Sequence, residues 1–298
     1  MPETAIQSAG ARFRAAMLLE KPLQIAGVIN AYAALQAAQC GFRALYLSGA
    51  GVANASHGLP DLGLTSLNDV LEDTRRITAA TGLPLLVDAD TGWGGELGIQ
   101  RAVREMIRAG AAGLHLEDQV AAKRCGHRPG KHLTSTEEMC GRLKAAVDAK
   151  TDPRFIIMAR TDAAAVEGLE AAIARARAYR EAGAEMVFAE ALTSLEEYRT
   201  FCQAIGAPVL ANLTEFGRTP LLTANELASA GVALALYPLS AFRAMSAAAL
   251  EVYRAIRRDG TQRATVDKMQ TRKELYQYLD YERYETKVDE LLARKKKP

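Results

Sequence analysis

The sequence predicts an α/β fold, a closed (β/α)8 barrel of the TIM type with extra C-terminal helices, on three observations. Short apolar runs alternate with longer alanine-rich amphipathic stretches from one end of the chain to the other, the pattern of repeated βα units on a parallel sheet. Eight such runs occur, the number on which this barrel closes. No break in composition divides the 298 residues, so one barrel domain is expected over residues 1–298, of which about 240–298 is a helical extension.

In chain order, strands are expected at LQIAGVIN (23–30), ALYLSG (44–49), LPLLVDAD (83–90), GLHLED (113–118), RFIIMART (154–161), EMVFAE (185–190), PVLANLT (208–214) and VALALYP (232–238). Each is a short apolar run of strand length. The intervening ELGIQRAVREMIRAG and GLEAAIARARAYREAGA are apolar at helical spacing and carry a glycine where a helix would end. After the last strand, SAFRAMSAAALEVYRAIRRDG and TQRATVDKMQTRKELYQYLDYERYETKVDELLAR predict two further long helical stretches. Helices surplus to a barrel usually cap it or dock on a neighbouring subunit, so a homo-oligomer is expected.

Charge and composition exclude several classes. The 37 basic and 35 acidic residues leave a net charge of +2, with no basic stripe of the kind that binds nucleic acid, and the ARKKKP end reads as a solvated terminus. No window approaches the roughly 18 uninterrupted apolar residues of a membrane span, and the N-terminal MPETAIQSAGARFRAAMLLEKP lacks the apolar core of a secretory signal; a soluble, cytoplasmic protein is expected. The four cysteines, Cys40, Cys125, Cys140 and Cys202, form no CxxC pair, which argues against a zinc ribbon or disulfide framework. They read as reduced thiols, three of them as packing residues.

Alternation along a strand decides which residues share a face. It places Asp88 with Asp90, Tyr46 with Ser48, His115 with Glu117, Met158 with Arg160 and Asp162, Phe188 with Glu190, and Asn212 with Thr214, every set at a strand's C-terminal end. Active sites of such barrels are built there. A lone polar residue could belong to a polar layer of the interior, but the repetition across strands points to one shared ligand. Asp88, Asp90 and Glu117 form an all-oxygen cluster suited to Mg²⁺ or Mn²⁺ rather than zinc, with salt bridging to Arg160 as the alternative. Lys123, Arg124, His127, Arg160, Arg243 and Arg272 supply opposite charge, as a di- or tricarboxylate substrate would require. The glycine-rich SGAGVANASHG and DTGWGG do not fit GxGxxG opening a helix, which excludes a dinucleotide site. They read as close-approach or mobile loops, with SGA offering backbone N–H groups to a carboxylate. The stretch KRCGH, continued by RPGKH, has two readings: a thiol tuned by surrounding cations, or a solvated basic loop that contains a cysteine.

The motifs YLSGAG, DADTGWGG, HLEDQ, KRCGHRPGK, ARTDA, NLTEFG, ALYPLSAFRAM and MQTRKELY occur in the order found in the isocitrate lyase and phosphoenolpyruvate mutase superfamily. The chain resembles that superfamily from about residue 6 to about residue 295, and within it the 2-methylisocitrate lyases. The resemblance implies a retro-Claisen cleavage of 2-methylisocitrate to pyruvate and succinate in the methylcitrate route of propionate breakdown. It implies Mg²⁺ on Asp88, with Asp90 and Glu117 reached through water, and a KRCGH lid whose Cys125 is the catalytic acid beside Lys123, Arg124 and His127. Tyr46 is the implied base, with Asp61 as rival. Substrate would meet Ser48, Gly49, Ala50, Cys125, Gly126, Arg160, Glu190, Asn212, Leu213, Thr214, Arg243 and Arg272, while Phe188 and Leu236 would form an apolar wall for the extra methyl group. The basic loop is expected to lower the thiol pKa. A homotetramer is expected.

Two positions depart from the family pattern: Ala50 where the family usually has glycine, and Ala189 where it usually has proline. The competing activities are isocitrate cleavage and an oxaloacetate decarboxylase-like reaction, although decarboxylase and phosphonate relatives generally lack KRCGH. The non-enzyme reading is a ligand-binding or redox-sensing barrel.

Overall fold

In the computed structural model, which describes residues 7–295, eight parallel strands close in sequence order, β8 pairing with β1. The first compact unit, Met1–Phe242, contains them all. Its order is α1 (Ala9–Leu19), β1 (Leu23–Gly27), α2 (Ala31–Gln39), β2 (Ala44–Leu47), α3 (Gly49–Gly51), α4 (Leu67–Ala80), β3 (Leu85–Asp88), α5 (Glu96–Arg108), β4 (Gly113–Glu117), α6 (Thr136–Asp148), β5 (Ile156–Thr161), α7 (Leu169–Glu181), β6 (Met186–Ala189), α8 (Leu195–Ile205), β7 (Val209–Asn212), α9 (Ala224–Ser229) and β8 (Leu234–Tyr237). The helix α10 (Ser240–Asp259) begins at the end of this unit and runs into the second.

Alternation sorts the strand residues as expected. Leu23, Ile25, Ala44, Tyr46, Leu86, Met158, Phe188, Leu210 and Leu236 gather in one buried cluster, the barrel interior. Leu45, Leu47, Val87, Leu114 and Ile157 turn outward and pack with Val70, Ile77, Val103 and Leu143 of the helices. Phe13 and Ala16 of α1 join the inner cluster, so the N-terminal helix stoppers the mouth at the strands' N-terminal ends. Gly10 permits the approach, because a β-carbon there would stand 2.2 Å from the Arg154 carbonyl oxygen.

The ladders are shorter than the apolar runs. Ser48, Asp90, Asp162, Glu190 and Thr214 lie just past the last residue of their strands. Asp90 and Glu190 each keep one backbone bond to the neighbouring strand, from the Glu117 N–H to the Asp90 carbonyl at 2.9 Å and from the Glu190 N–H to the Thr161 carbonyl at 3.1 Å. Helix starts follow capping chemistry: Ser66 with Asp69, and Thr223 with Glu226, make reciprocal capping boxes at α4 and α9.

The second unit, Arg243–Pro298, holds most of α10, then α11 (Arg272–Leu279) and α12 (Tyr281–Lys295). The second expected helical stretch is therefore not continuous. A short 3-10 segment, Arg263–Lys268, precedes Thr271, whose side chain starts a new helix in a capping box with Glu274. Asp280 at φ 52° then breaks α11 from α12.

Candidate active site

Asp88, the last residue of β3, is held by two backbone donors. The Gly49 N–H meets Oδ2 at 3.0 Å and the Asp90 N–H meets Oδ1 at 3.1 Å. Asp90 reaches that position with φ 46°, a left-handed conformation that a non-glycine residue adopts at some cost. His115 sits in register beside Asp88 on β4, its Nε2 3.6 Å from Asp88 Oδ1 and 2.8 Å from the Tyr46 hydroxyl. Burial would raise the Asp88 pKa, but His115, Lys123, Arg160 and the Gly49 N–H outweigh it and hold the carboxyl at about 2. Burial, against the pull of Asp88, lowers His115 to about 4, so its imidazole is neutral. Burial and then the Asp88 charge push the Tyr46 phenol well above its ordinary value. Tyr46 is thus an O–H donor in this state, whereas a general base needs a pKa near the working pH.

The three expected metal carboxylates are each turned to a different partner. Asp88 takes the two N–H groups; Asp90 Oδ1 lies 2.7 Å from Lys123 Nζ; and Glu117 Oε2 lies 3.4 Å from Arg160 Nε. Among the described residues, no three carboxylate, imidazole or thiol side chains gather around a single point. Both oxygens of Glu117 are nonetheless buried without a hydrogen bond, and burial raises its pKa well above the ordinary value. One firmly oriented carboxylate with two more close by, one of them unsatisfied, fits a hard cation that keeps several waters.

Arg160, on β5, is buried and shared among carboxylates: Asp162 at 3.0 Å, Glu190 at 3.2 Å and Glu117, with its guanidinium 5.1 Å from the Phe188 ring centroid. Glu190 also accepts from His127 and Asn212. The Arg218 backbone N–H donates to His127 Nδ1 at 3.0 Å, which places the imidazole proton on Nε2, 2.9 Å from Glu190 Oε1. Asn212 Nδ2 lies 3.3 Å from both Glu190 oxygens. The Arg160 charge first, then His127 and Lys131, overcome burial and pull the Glu190 pKa far below the carboxylate range.

The KRCGH stretch is a built loop. Its ends are joined by the antiparallel Gln119–Leu133 bridge and the Val120 N–H to His132 carbonyl bond of 3.0 Å. The Gln119 side-chain amide pairs with both backbone groups of Arg124, 2.9 Å each. Lys123 turns inward and joins Asp61 as well as Asp90. Cys125 lines a cavity of about 520 Å³ with Pro60, Asp61, Leu62, Arg124, Arg128 and Pro129. Its thiol pKa is raised, not lowered: burial is the largest influence, and the His127 N–H offsets it only in part. The expected depression fails because the cations of the loop are spent elsewhere, Lys123 on two carboxylates and Arg124, which is exposed, on the Pro129 carbonyl. Arg124 therefore braces the loop from outside.

Two further expectations need correction. The Leu213 side chain packs in the outer layer with Val209 and Ala211, because it follows the outward parity of β7. The Gly49 N–H, expected to meet a substrate carboxylate, is occupied by Asp88, leaving Ser48 and Ala50 of that turn. Phe188, Leu236 and Thr214 are buried as expected, and Ala189 faces outward in the helix-packed layer. Arg243 and Arg272 belong to the second unit, where Arg272 lines a cleft of about 610 Å³ between α11 and α12. Of the cysteines, Cys125, Cys140 and Cys202 are half-buried and Cys40 is exposed, so Cys40 is not a packing residue; none is in a disulfide.

Sequence reasoning assigned no role to Asp118 or Lys131, and placed Asp162 only on the inward face it shares with Arg160. Lys131 Nζ meets Asp162 Oδ1 at 2.7 Å and the Gly126 carbonyl. Asp118 accepts from Thr161 Oγ1 at 2.7 Å, Tyr179 at 2.9 Å and the Asp162 N–H at 2.9 Å. Their signal was present in part: Asp162 shares a face with Arg160, and Lys131 ends the quoted loop motif.

Comparison with known proteins agrees with this geometry. The phosphoenolpyruvate phosphomutase family matches residues 13–257. A 2-methylisocitrate lyase of Shewanella oneidensis is 62% identical over 97% of this chain and 99% of its own. A crystal structure of 2,3-dimethylmalate lyase, a member of the PEP mutase/isocitrate lyase superfamily, superposes with a TM-score of 0.88 at 35% identity, covering 96% of each chain. A phosphonopyruvate hydrolase solved with oxalate and Mg²⁺ does so with a TM-score of 0.82 at 28% identity, covering 94% of this chain and 98% of that one. With a closed eight-stranded barrel, a ring of carboxylates at its C-terminal mouth and a cysteine loop over it, the chain belongs to the phosphoenolpyruvate phosphomutase family, among the 2-methylisocitrate lyases.

Proposed function

We propose that the chain cleaves 2-methylisocitrate to pyruvate and succinate, as in the methylcitrate route of propionate breakdown. The observation that carries this reading is Cys125: a thiol kept protonated by burial, on a loop whose His127 is tied to the same Glu190 that holds Arg160. A carbanion-like fragment needs a proton at carbon, and a protonated thiol beside a guanidinium is built to supply one.

Arg160, Asn212 and Thr214 would hold the succinate-side carboxylates, and Ser48 with Ala50 would meet the other end. Mg²⁺, or Mn²⁺, would be held by Asp88 directly and by Asp90 and Glu117 through water, where it would polarise the substrate hydroxyl and its neighbouring carboxylate. The hydroxyl proton passes to a base; the C–C bond then breaks, its electron pair moving to the succinate half as the pyruvate carbonyl forms. Cys125 gives its proton to that carbon. Tyr46, hydrogen-bonded to His115 beside Asp88, and Asp61, one ammonium away from Asp90, are the two candidates for that base.

Phe188 and Leu236 present apolar surface inside the barrel. One methyl group is worth about 1–3 kcal/mol, so the preference for the methylated substrate over isocitrate is of modest size. The test is to follow pyruvate and glyoxylate separately, with and without Mg²⁺, for wild type and Cys125→Ser. Metal-dependent pyruvate release that Cys125→Ser abolishes supports the reading. Glyoxylate as the main product moves the chain to isocitrate cleavage, and no product from either substrate overturns it. The apolar residues exposed on the second unit, among them Met245, Leu250, Tyr253, Ile256, Leu291 and Leu292, support a homo-oligomer, proposed as a tetramer in the cytoplasm.

A further inference from the structure

We propose that the ion pair between Lys131 and Asp162 is the latch that holds the 121–131 loop over the barrel mouth, which makes both of them positioning residues for Cys125. The proposal rests on the lyase reading for its effect on turnover, but its geometry stands apart from the catalytic groups.

Lys131 closes the loop on itself and on the barrel together. Its side chain is 2% exposed, and its ammonium donates to the Gly126 carbonyl inside the loop and to Asp162 Oδ1 just past the end of β5. That carbonyl belongs to the residue pressed hardest on the site. A β-carbon at Gly126 would stand 2.4 Å from Arg160 Nη2 and 2.7 Å from Glu190 Cδ, so only glycine lets the backbone lie there. Asp162 is itself immobilised: Asp118 binds its backbone N–H and the neighbouring Thr161 hydroxyl, and Tyr179 of α7 fixes Asp118 from behind. A rigid carboxylate on the barrel thus holds a lysine that holds the backbone between Cys125 and His127.

The same carboxylate also binds Arg160, with Oδ2 3.0 Å from Nε. A substrate carboxylate that engages Arg160 therefore competes with Asp162 for the guanidinium, and leaves Asp162 more fully to Lys131. Occupancy of the site and closure of the loop are linked through one side chain.

Lys131→Met removes the latch without stranding a carboxylate, since Asp162 retains Arg160. Wild type, Lys131→Met and Lys131→Arg are compared without substrate by iodoacetamide labelling resolved by mass spectrometry. Cys40, exposed at the opposite end of the barrel, is the internal standard. Labelling of Cys125 relative to Cys40 rises about tenfold in Lys131→Met, tryptic cleavage after Arg124 accelerates in parallel, and Lys131→Arg brings both back to within about threefold of wild type. In turnover, kcat falls in Lys131→Met with a smaller change in KM. Should Lys131→Met not fold, Lys131→Gln, which still donates to the Gly126 carbonyl but carries no charge, serves in the same comparison. Equal labelling of Cys125 in all variants overturns the latch and leaves the lyase reading in place. Faster labelling in Lys131→Met, together with a wild type that cleaves neither substrate, supports the latch and overturns the lyase reading.

Discussion

Cys125 shows how burial decides the role of a side chain. A thiol with a raised pKa stays protonated through neutral pH, so the rate of cleavage should fall on the alkaline side only above the ordinary thiol range, near 8.5. The pH dependence of Cys125 alkylation checks this directly, and a midpoint below 8 would contradict it. Cys125→Ser is expected to lower kcat by about 10²–10⁴ while leaving the fold intact. Glu190 gives the opposite sign. Its folded pKa lies below the unfolded value, so it adds stability above about pH 4.3 that is lost as pH falls toward the folded pKa. Glu190→Gln should therefore flatten the acid limb of a denaturant-midpoint profile between about pH 4.3 and 3. Parity alone found Asp88, Arg160, Glu190 and Asn212, because each is the inward residue at a strand end. It could not find that Lys123 would settle on Asp61 and Asp90, or that the thiol would be pushed up. Those outcomes depend on the path of two loops through space, and a count along the chain carries none of it.

Among the elements, α1 has a part that its sequence hides. Its apolar face is modest, yet Phe13 is wholly buried in the barrel interior with Leu23 and Ile156. Phe13→Ala should cost about 3–5 kcal/mol in chemical denaturation, with kcat per folded molecule unchanged, since the stopper and the polar ring lie at opposite ends. A large loss of kcat would show that the interior transmits strain from one mouth to the other. The strands were legible because their apolar runs are short and bounded, and their C-terminal trimming was not, because the polar residues there, Asp90 and Glu190 among them, turn to side chains of the loops, Lys123 and His127, that a count along the chain does not bring near. The last helical stretch was misread as one piece because Thr271 and Asp280 each have only local chemistry to signal a break, and an amphipathic count passes straight through them.

For the whole molecule, the expected native mass by light scattering is four times that of the chain. Substituting Leu291 and Leu292 with glutamate should shift it toward a smaller species, and a monomeric wild type would leave those exposed apolar residues without a partner chain. The closure of β8 on β1 bears on how such copies can meet. Every strand is paired on both sides, so the sheet offers no open row of N–H and C=O groups to another polypeptide. One copy cannot extend the sheet of the next, and a partially denatured population must break the ring before it can template cross-β aggregates. Assembly is left to the complementarity of side chains on helices, which a few substitutions can tune or undo.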